Sequence, residues 1–253
     1  MTTNHKSALV TGGGTGIGKA VAARLVSGGY DVTIVGRRED ILRRTATELA
    51  EHGPGTVRID VADMAASDAP EAVIASHVDA FGGINALVTA AAFYEPIPFL
   101  DTTAETWDAT LHVALRGTVL AAAAAARHMV GAGGGRIVLF SSINGFHSEP
   151  DSADYSAAKA AVSSLAKSMA VDLGSSGVIT NAIAPGWVAT PMTQEFLDKS
   201  SPEILKHVNP LGRAGDPAEI ADVVWFLIED APSFLIGTTL YVDGGQTVAA
   251  PMP

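Results

Sequence analysis

The chain of 253 residues contains no cysteine, which excludes disulfides and thiolate chemistry and leaves cysteine usage silent about the redox compartment. Charge is also scarce: 17% of residues are charged and 47% are apolar, so a disordered chain is excluded and a well-buried globular one is expected. Basic residues are outnumbered, with 16 Lys and Arg against 27 Asp and Glu and a net charge of −11. That balance argues against binding a phosphate backbone, and no nucleic acid partner is expected, although a local basic spot could still hold a small anion. The Ala-rich stretch near residues 118 to 130 is read as too short to cross a bilayer and ends in Arg127 and His128. The opening MTTNHKSALV has no small-residue cleavage site, so no membrane partner and a cytoplasmic location are the expectations. No metal ligands are assigned.

What is present is an alternation. SALVT (7–11) is a short apolar strand, TGGGTGIG (11–18) follows it, and the helical pattern KAVAARLVSGG comes next. Strand, glycine turn and helix in that order let the backbone approach a pyrophosphate and offer it helix N-terminal amides. The glycine spacing is not GxGxxG, and a tight turn without a ligand is the competing reading. DVTIVG (31–36) is a second strand, TVRID (56–60) a third, and INALVTA (84–90) a fourth, with a helix expected over 67–81. A loop follows over 92–103, then helices over 103–114 and 115–131. A fifth strand contains RIVLFS, GVITNAIAP is a sixth, and GTTLYVDGG contains a seventh. Strands and helices alternating in this way predict a parallel sheet covered on both faces. With no linker or repeat, residues 1–253 are read as a single domain.

Residues 187–215 form the longest stretch without a firm pattern. They are read as a lid, or alternatively as the surface packing of an amphipathic helix. Asp216 with Pro217 starts a helix after it.

In a dinucleotide fold an acid about twenty residues past the glycine loop binds the adenosine 2′-hydroxyl, and arginine there accommodates a 2′-phosphate. Gly36 stands at that position and Arg37 and Arg38 follow, which favours NADP(H) over NAD(H). The alternative is a solvated arginine pair. Asp60 ends the third strand, where it would meet adenine or cap the next turn.

Tyr155 and Lys159 are four residues apart at the start of an Ala-rich run, so on a helix they share a face. A neighbouring ammonium favours phenolate and is expected to pull the tyrosine toward neutrality, making it a usable acid and base. Ser142 lies after RIVLFS, where its hydroxyl could hold a substrate oxygen. A Tyr and a Lys at this spacing are otherwise an ordinary surface pair.

Read together, TGGGTGIG, Asp60–Val61, Ser142, YSAAK (155–159), PGWVAT (185–190) and VDGG (242–245) resemble the short-chain dehydrogenase/reductase family over essentially the whole chain. The resemblance extends to 3-oxoacyl-carrier-protein reductase-like and glucose-dehydrogenase-like members. It implies an α/β fold, a single-domain Rossmann-like doubly wound parallel sheet of seven strands with helices on both faces, assembled as a homotetramer or homodimer. It also implies hydride transfer between a nicotinamide and a carbonyl or secondary alcohol. By that resemblance Tyr155 is the general acid, Ser142 orients the carbonyl, and Lys159 binds the nicotinamide ribose and lowers the phenol's pKa. Gly12, Gly14, Thr15 and Ile17 line the phosphates, Arg37 meets the 2′-phosphate, and Asp60 and Val61 meet adenine. Ala91 lies under the cofactor; Pro185, Gly186, Val188 and Thr190 hold the nicotinamide end.

Two positions depart from the family. Ala114 replaces an asparagine that supports a water-linked proton relay to the lysine, and a methyl group cannot hold that water. TAAA (89–92) replaces NNAG, losing two amides that brace the sheet. The expected activity is an NADP(H)-dependent carbonyl reductase or alcohol dehydrogenase. An NAD-dependent sugar or hydroxysteroid dehydrogenase is the alternative within the class, and a weakly catalytic dinucleotide-binding protein the alternative outside it. Phe93, Tyr94, His147, Trp187, Met192 and Phe196 are expected to line a pocket for an apolar or aromatic ketone. The acidic balance disfavours a carrier-protein-bound substrate unless Arg116 and Arg127 form a basic patch.

Overall fold

The computed structural model describes residues 6–200 and 208–248. The expectations for the opening residues 1–5 and for the 201–207 part of the lid stretch lie outside the described residues.

Seven parallel strands form one sheet in the order β3-β2-β1-β4-β5-β6-β7. They are β1 (Ser7–Thr11), β2 (Asp31–Gly36), β3 (Val57–Val61), β4 (Ala86–Thr89), β5 (Gly135–Phe140), β6 (Val178–Pro185) and β7 (Thr239–Val242). β1, β4 and β6 are buried at every residue, because helices cover both sides and no face needs to be polar.

The two faces can be read from neighbours in β1. Ala8 and Val10 pack with Val21 and Leu25 of α1 (Gly16–Ser27) and with Ile220 and Val224 near the C-terminal end of the chain. Leu9 points the other way, toward Val73 and Ile74 of α3 (Ala69–Phe81) and Val162 and Ala166 of a later helix. Alternation along the strand thus serves two cores, not a core and a solvent face.

The remaining helices are α2 (Glu39–Leu49), α4 (Ala104–Leu111), α5 (Thr118–Ala132), α6 (Ala153–Leu173), α7 (Gln194–Lys199) and α8 (Pro217–Trp225). Asp216 caps α8 by accepting from the Ala218 amide at 2.8 Å, and Arg213 and Glu219 pair beside it.

Some boundaries differ from the sequence reading. β3 runs one residue later than expected, so Val61 and not Asp60 ends it, and α3 starts at Ala69. The two helices expected over 103–131 are joined by a π-helical stretch, His112–Gly117, so the helical path continues from Ala104 to Ala132. That long apolar helix is a core helix: Ala121, Ala122, Ala124 and Ala125 are buried against the sheet and its flanking helices. Small side chains let the backbones approach closely there. The lid stretch contains a short helix, α7, in line with the amphipathic-helix alternative for part of it.

Strand order reverses between β1 and β4, so the loops leaving these two strands diverge and leave a crevice at their carboxyl ends.

Candidate active site

The crevice opens into a cavity of 790 Å³. Its floor is the glycine loop. At Gly12 (φ +70°) a Cβ would lie 2.8 Å from the Ala90 carbonyl oxygen and the Ala91 nitrogen, so only glycine allows the loop to rest on the end of β4. A Cβ at Gly18 would collide with the Gly12 carbonyl, which is why α1 can start so close to its strand. Thr15 caps α1 without a side-chain hydrogen bond, and the first turn holds no acidic residue. The helix therefore presents uncapped amides to the cavity, a fit for a pyrophosphate. In the TAAA segment the Ala91 amide donates to Thr11 Oγ1 at 3.1 Å, while the buried Thr89 hydroxyl has no hydrogen-bond partner among the described residues.

At the other end the catalytic candidates arrive on two elements. β5 delivers Ser142 just past its end, and a short 3₁₀ turn, Ile143–Gly145, carries the chain onward. Ser141 Oγ donates to the Lys159 carbonyl at 2.8 Å and bonds Ser163 Oγ at 2.8 Å, pinning the end of β5 to α6. A Cβ at Gly145 would lie 2.8 Å from the Ala160 nitrogen, so this glycine sets how closely the turn approaches α6. Its positioning role carried no sequence signal, because the clash is with a helix many residues away.

Tyr155 and Lys159 share one face of α6 as expected, with Lys159 Nζ 5.4 Å from the centre of the phenol ring. The electrostatic expectation is overturned. Burial pushes the Tyr155 pKa up to about 12; the nearby Ser142 hydroxyl opposes this, and Tyr94 and the Glu149 carboxylate add to it. Burial also pushes Lys159 down to about 8. Desolvation is the largest cause for both groups, and the ammonium donates to the Phe140 carbonyl oxygen at 2.7 Å.

Ala114 is fully buried, and its carbonyl oxygen accepts from Thr118 Oγ1 at 3.1 Å. It offers the lysine no polar side chain. The π-helical widening is nonetheless present at this position.

With this geometry established, similarity to known proteins follows the same outline. A family model described as "Enoyl-(Acyl carrier protein) reductase" matches residues 12–247. The chain belongs to the short-chain dehydrogenase/reductase family. It is 38% identical to the short-chain reductase protein NovJ of Streptomyces niveus, over 94% of this chain and 93% of that protein. It is 33% identical to glucose 1-dehydrogenase of Gluconobacter oxydans, over 96% and 92%. A solved 3-oxoacyl (acyl-carrier-protein) reductase from Agrobacterium tumefaciens, with NADP bound, superposes with a TM-score of 0.89 at 30% identity, over 95% of this chain and 93% of that one. The protein is thus a dehydrogenase/reductase acting on a small molecule, and the dinucleotide typical of its family is NAD(P).

In this short-chain dehydrogenase/reductase, Gly12, Gly14, Thr15, Ile17 and Arg37 line one end of the cavity. Ala91, Ser142, Tyr155 and Lys159, together with Pro185, Gly186, Val188 and Thr190, line the rest. Asp60 and Val61, the residues expected at adenine, are the last two residues of β3, and Ala62, Asp63 and Met64 immediately after them line the cavity.

Of the six residues expected at the substrate end, Phe93, Tyr94, Trp187, Met192 and Phe196 line the cavity. His147 does not; its ring lies 6.2 Å from that of the exposed Phe146. Trp187 and Phe196 stack with centroids 4.0 Å apart, and Tyr94 lies 5.0 Å from Tyr155. Arg116 donates to the Ala65 carbonyl and Arg127 pairs with Glu71, so neither supplies a free basic patch. Glu149 and Asn144, neither of which the sequence singled out, also line the cavity.

Proposed function

We propose that this enzyme is an NADP(H)-dependent carbonyl reductase or alcohol dehydrogenase, with Tyr155 as general acid in reduction and general base in oxidation. The observation that carries the reading is that Ser142, Tyr155 and Lys159 line the same cavity as the glycine loop. The dinucleotide, when bound, supplies the hydride in reduction and accepts it in oxidation. Tyr155 keeps its proton at neutral pH and gives it to the substrate oxygen as negative charge develops there. Ser142 donates a hydrogen bond to the same oxygen. Lys159, brought down to about 8 by burial, lies on the same helix face as the phenol, with Nζ 5.4 Å from the ring centre.

The preference for the 2′-phosphate rests on Gly36 and the arginines after it. A Cβ at Gly36 would meet Leu42 at 3.5 Å, an ordinary contact, so packing does not demand glycine there. Arg37 and Arg38 line the cavity, are exposed, and form no ion pair among the described residues, whereas Arg43 and Arg44 are paired with Glu39 and Asp40. Two unpaired guanidinium groups at a helix start fit a phosphate dianion.

The aromatic wall suits an apolar or aromatic ketone. A homo-oligomer belongs to the same reading, supported by Val171 and Phe234, which are left exposed on the outer surface. The test is NADPH oxidation by the purified protein with a panel of ketones, in parallel with Tyr155→Phe. Oxidation abolished in the variant is expected. No oxidation above blank across the panel would favour a protein that binds the dinucleotide with little catalysis.

A further inference from the structure

The substrate end of the cavity holds a carboxylate with no assigned role. Glu149 lies between the 3₁₀ turn after Ser142 and the start of α6. Its Oε1 accepts from Trp187 Nε1 at 3.0 Å, and its Oε2 from Asn144 Nδ2 at 3.4 Å. Asn144 is buried at 7% exposure, so one of the two donors is fixed in the core of the site. These neutral donors orient the carboxylate without cancelling its charge.

No cation balances it among the described residues. Lys159 is engaged with the Phe140 carbonyl, and Lys199, at the rim, pairs with Glu195 at 2.6 Å. Arg37 and Arg38 line the opposite end, beside the glycine loop. The charge of Glu149 reaches the reaction centre, since it contributes to the upward displacement of both the Tyr94 and Tyr155 phenols. Trp187 presents its Nε1 edge to the carboxylate and stacks on Phe196, and Tyr94 lines the same cavity.

We propose that Glu149 is a specificity-determining residue that selects carbonyl substrates carrying a protonated amine or a hydroxyl group remote from the carbonyl, and rejects those carrying a carboxylate. A carboxylate with neutral anchors accepts a further hydrogen bond from an ammonium or hydroxyl, while the aromatic lining tolerates an apolar frame. A substrate carboxylate would be forced against a like charge at that end of the cavity. This inference rests on the carbonyl-reductase reading above and narrows its substrate class.

The test uses full-length protein with NADPH and four ketones of one skeleton: acetophenone, 4-(aminomethyl)acetophenone, 4-(hydroxymethyl)acetophenone and 4-acetylbenzoate. For each protein, kcat/KM is expressed relative to acetophenone. The wild-type order expected is aminomethyl, then hydroxymethyl, then carboxylate, with about tenfold or more between the extremes. Glu149→Gln keeps the shape and an acceptor oxygen but removes the charge, and is expected to collapse that ratio by about tenfold. Equal wild-type use of 4-acetylbenzoate and the aminomethyl ketone would overturn the proposal, and that comparison needs no variant. An unchanged ratio in Glu149→Gln would overturn it as well.

A binding measurement separates this inference from the chemistry. With Tyr155→Phe saturated with NADPH, the thermal shift produced by each ketone should follow the same order. If that order appears while the wild type turns over none of the four, the carbonyl-reductase reading fails and the recognition by Glu149 stands. If the four shifts are equal, the proposal is overturned whatever the turnover.

Discussion

Lys159 Nζ donates to the carbonyl oxygen of Phe140 at 2.7 Å, so the one ammonium beside the phenol is held by the last residue of β5. The lysine is 2% exposed, and its proton is held less firmly than usual.

That arrangement makes stability depend on pH in a defined window. The unfolded chain keeps the Lys159 proton up to about 10.5, whereas the folded chain releases it at about 8. Between those values the unfolded state binds more protons, so stability from this group rises with pH. The full contribution is on the order of 3 kcal/mol. Urea unfolding of the wild type from pH 8 to 9, before the tyrosines of the unfolded chain ionise near 10, should show the rise, and Lys159→Met should remove it. A slope identical in the variant would contradict the placement of a charged lysine in this site.

A second window lies on the acidic side. His77 is fully buried between Thr33 Oγ1 at 2.8 Å and Ser7 Oγ at 3.2 Å, and burial holds its pKa down to about 4. As pH falls below about 6.5 the unfolded chain gains a proton that the folded chain refuses, so stability is lost from there down to about 4. The loss is about 3 kcal/mol. Urea unfolding at pH 7 and 4.5 should register it in the wild type, and His77→Gln, less stable at pH 7, should lose less on acidification. Equal losses would assign the acid sensitivity to other groups.

The cofactor preference has its own reversal. Gly36→Asp places a carboxylate where space exists, and Arg37→Ala removes a guanidinium from the cavity wall. The double variant should bind NADPH about 10- to 100-fold more weakly and NADH no more weakly than the wild type. Fluorescence titration with both dinucleotides reads this directly. Tighter NADH binding by the wild type itself would overturn the assignment.

Much of this was legible in the chain because glycine turns, strand alternation and the Tyr155–Lys159 spacing are local signals. The order of the seven strands was not legible, since apolar strands such as β4 and β6 do not encode their neighbours, and the family resemblance supplied a doubly wound sheet without its order. The reversal in the Tyr155 pKa was not legible. Spacing brings a charge near a phenol, but only the fold fixes how much solvent each has lost and that the ammonium turns to Phe140. Glu149 was missed for a related reason: its partners, Asn144 and Trp187, come from separate loops, and a lone glutamate before Pro150 reads as solvated surface.

The central measurement is the rate of NADPH oxidation by wild type and Tyr155→Phe on one ketone, with NADPH affinity measured for both. Loss of the phenolic proton donor should lower kcat by about 100- to 10,000-fold while the dinucleotide binds within about threefold of wild type. A variant that turns over at the wild-type rate would show that the proton comes from another group and that Tyr155 is not the acid.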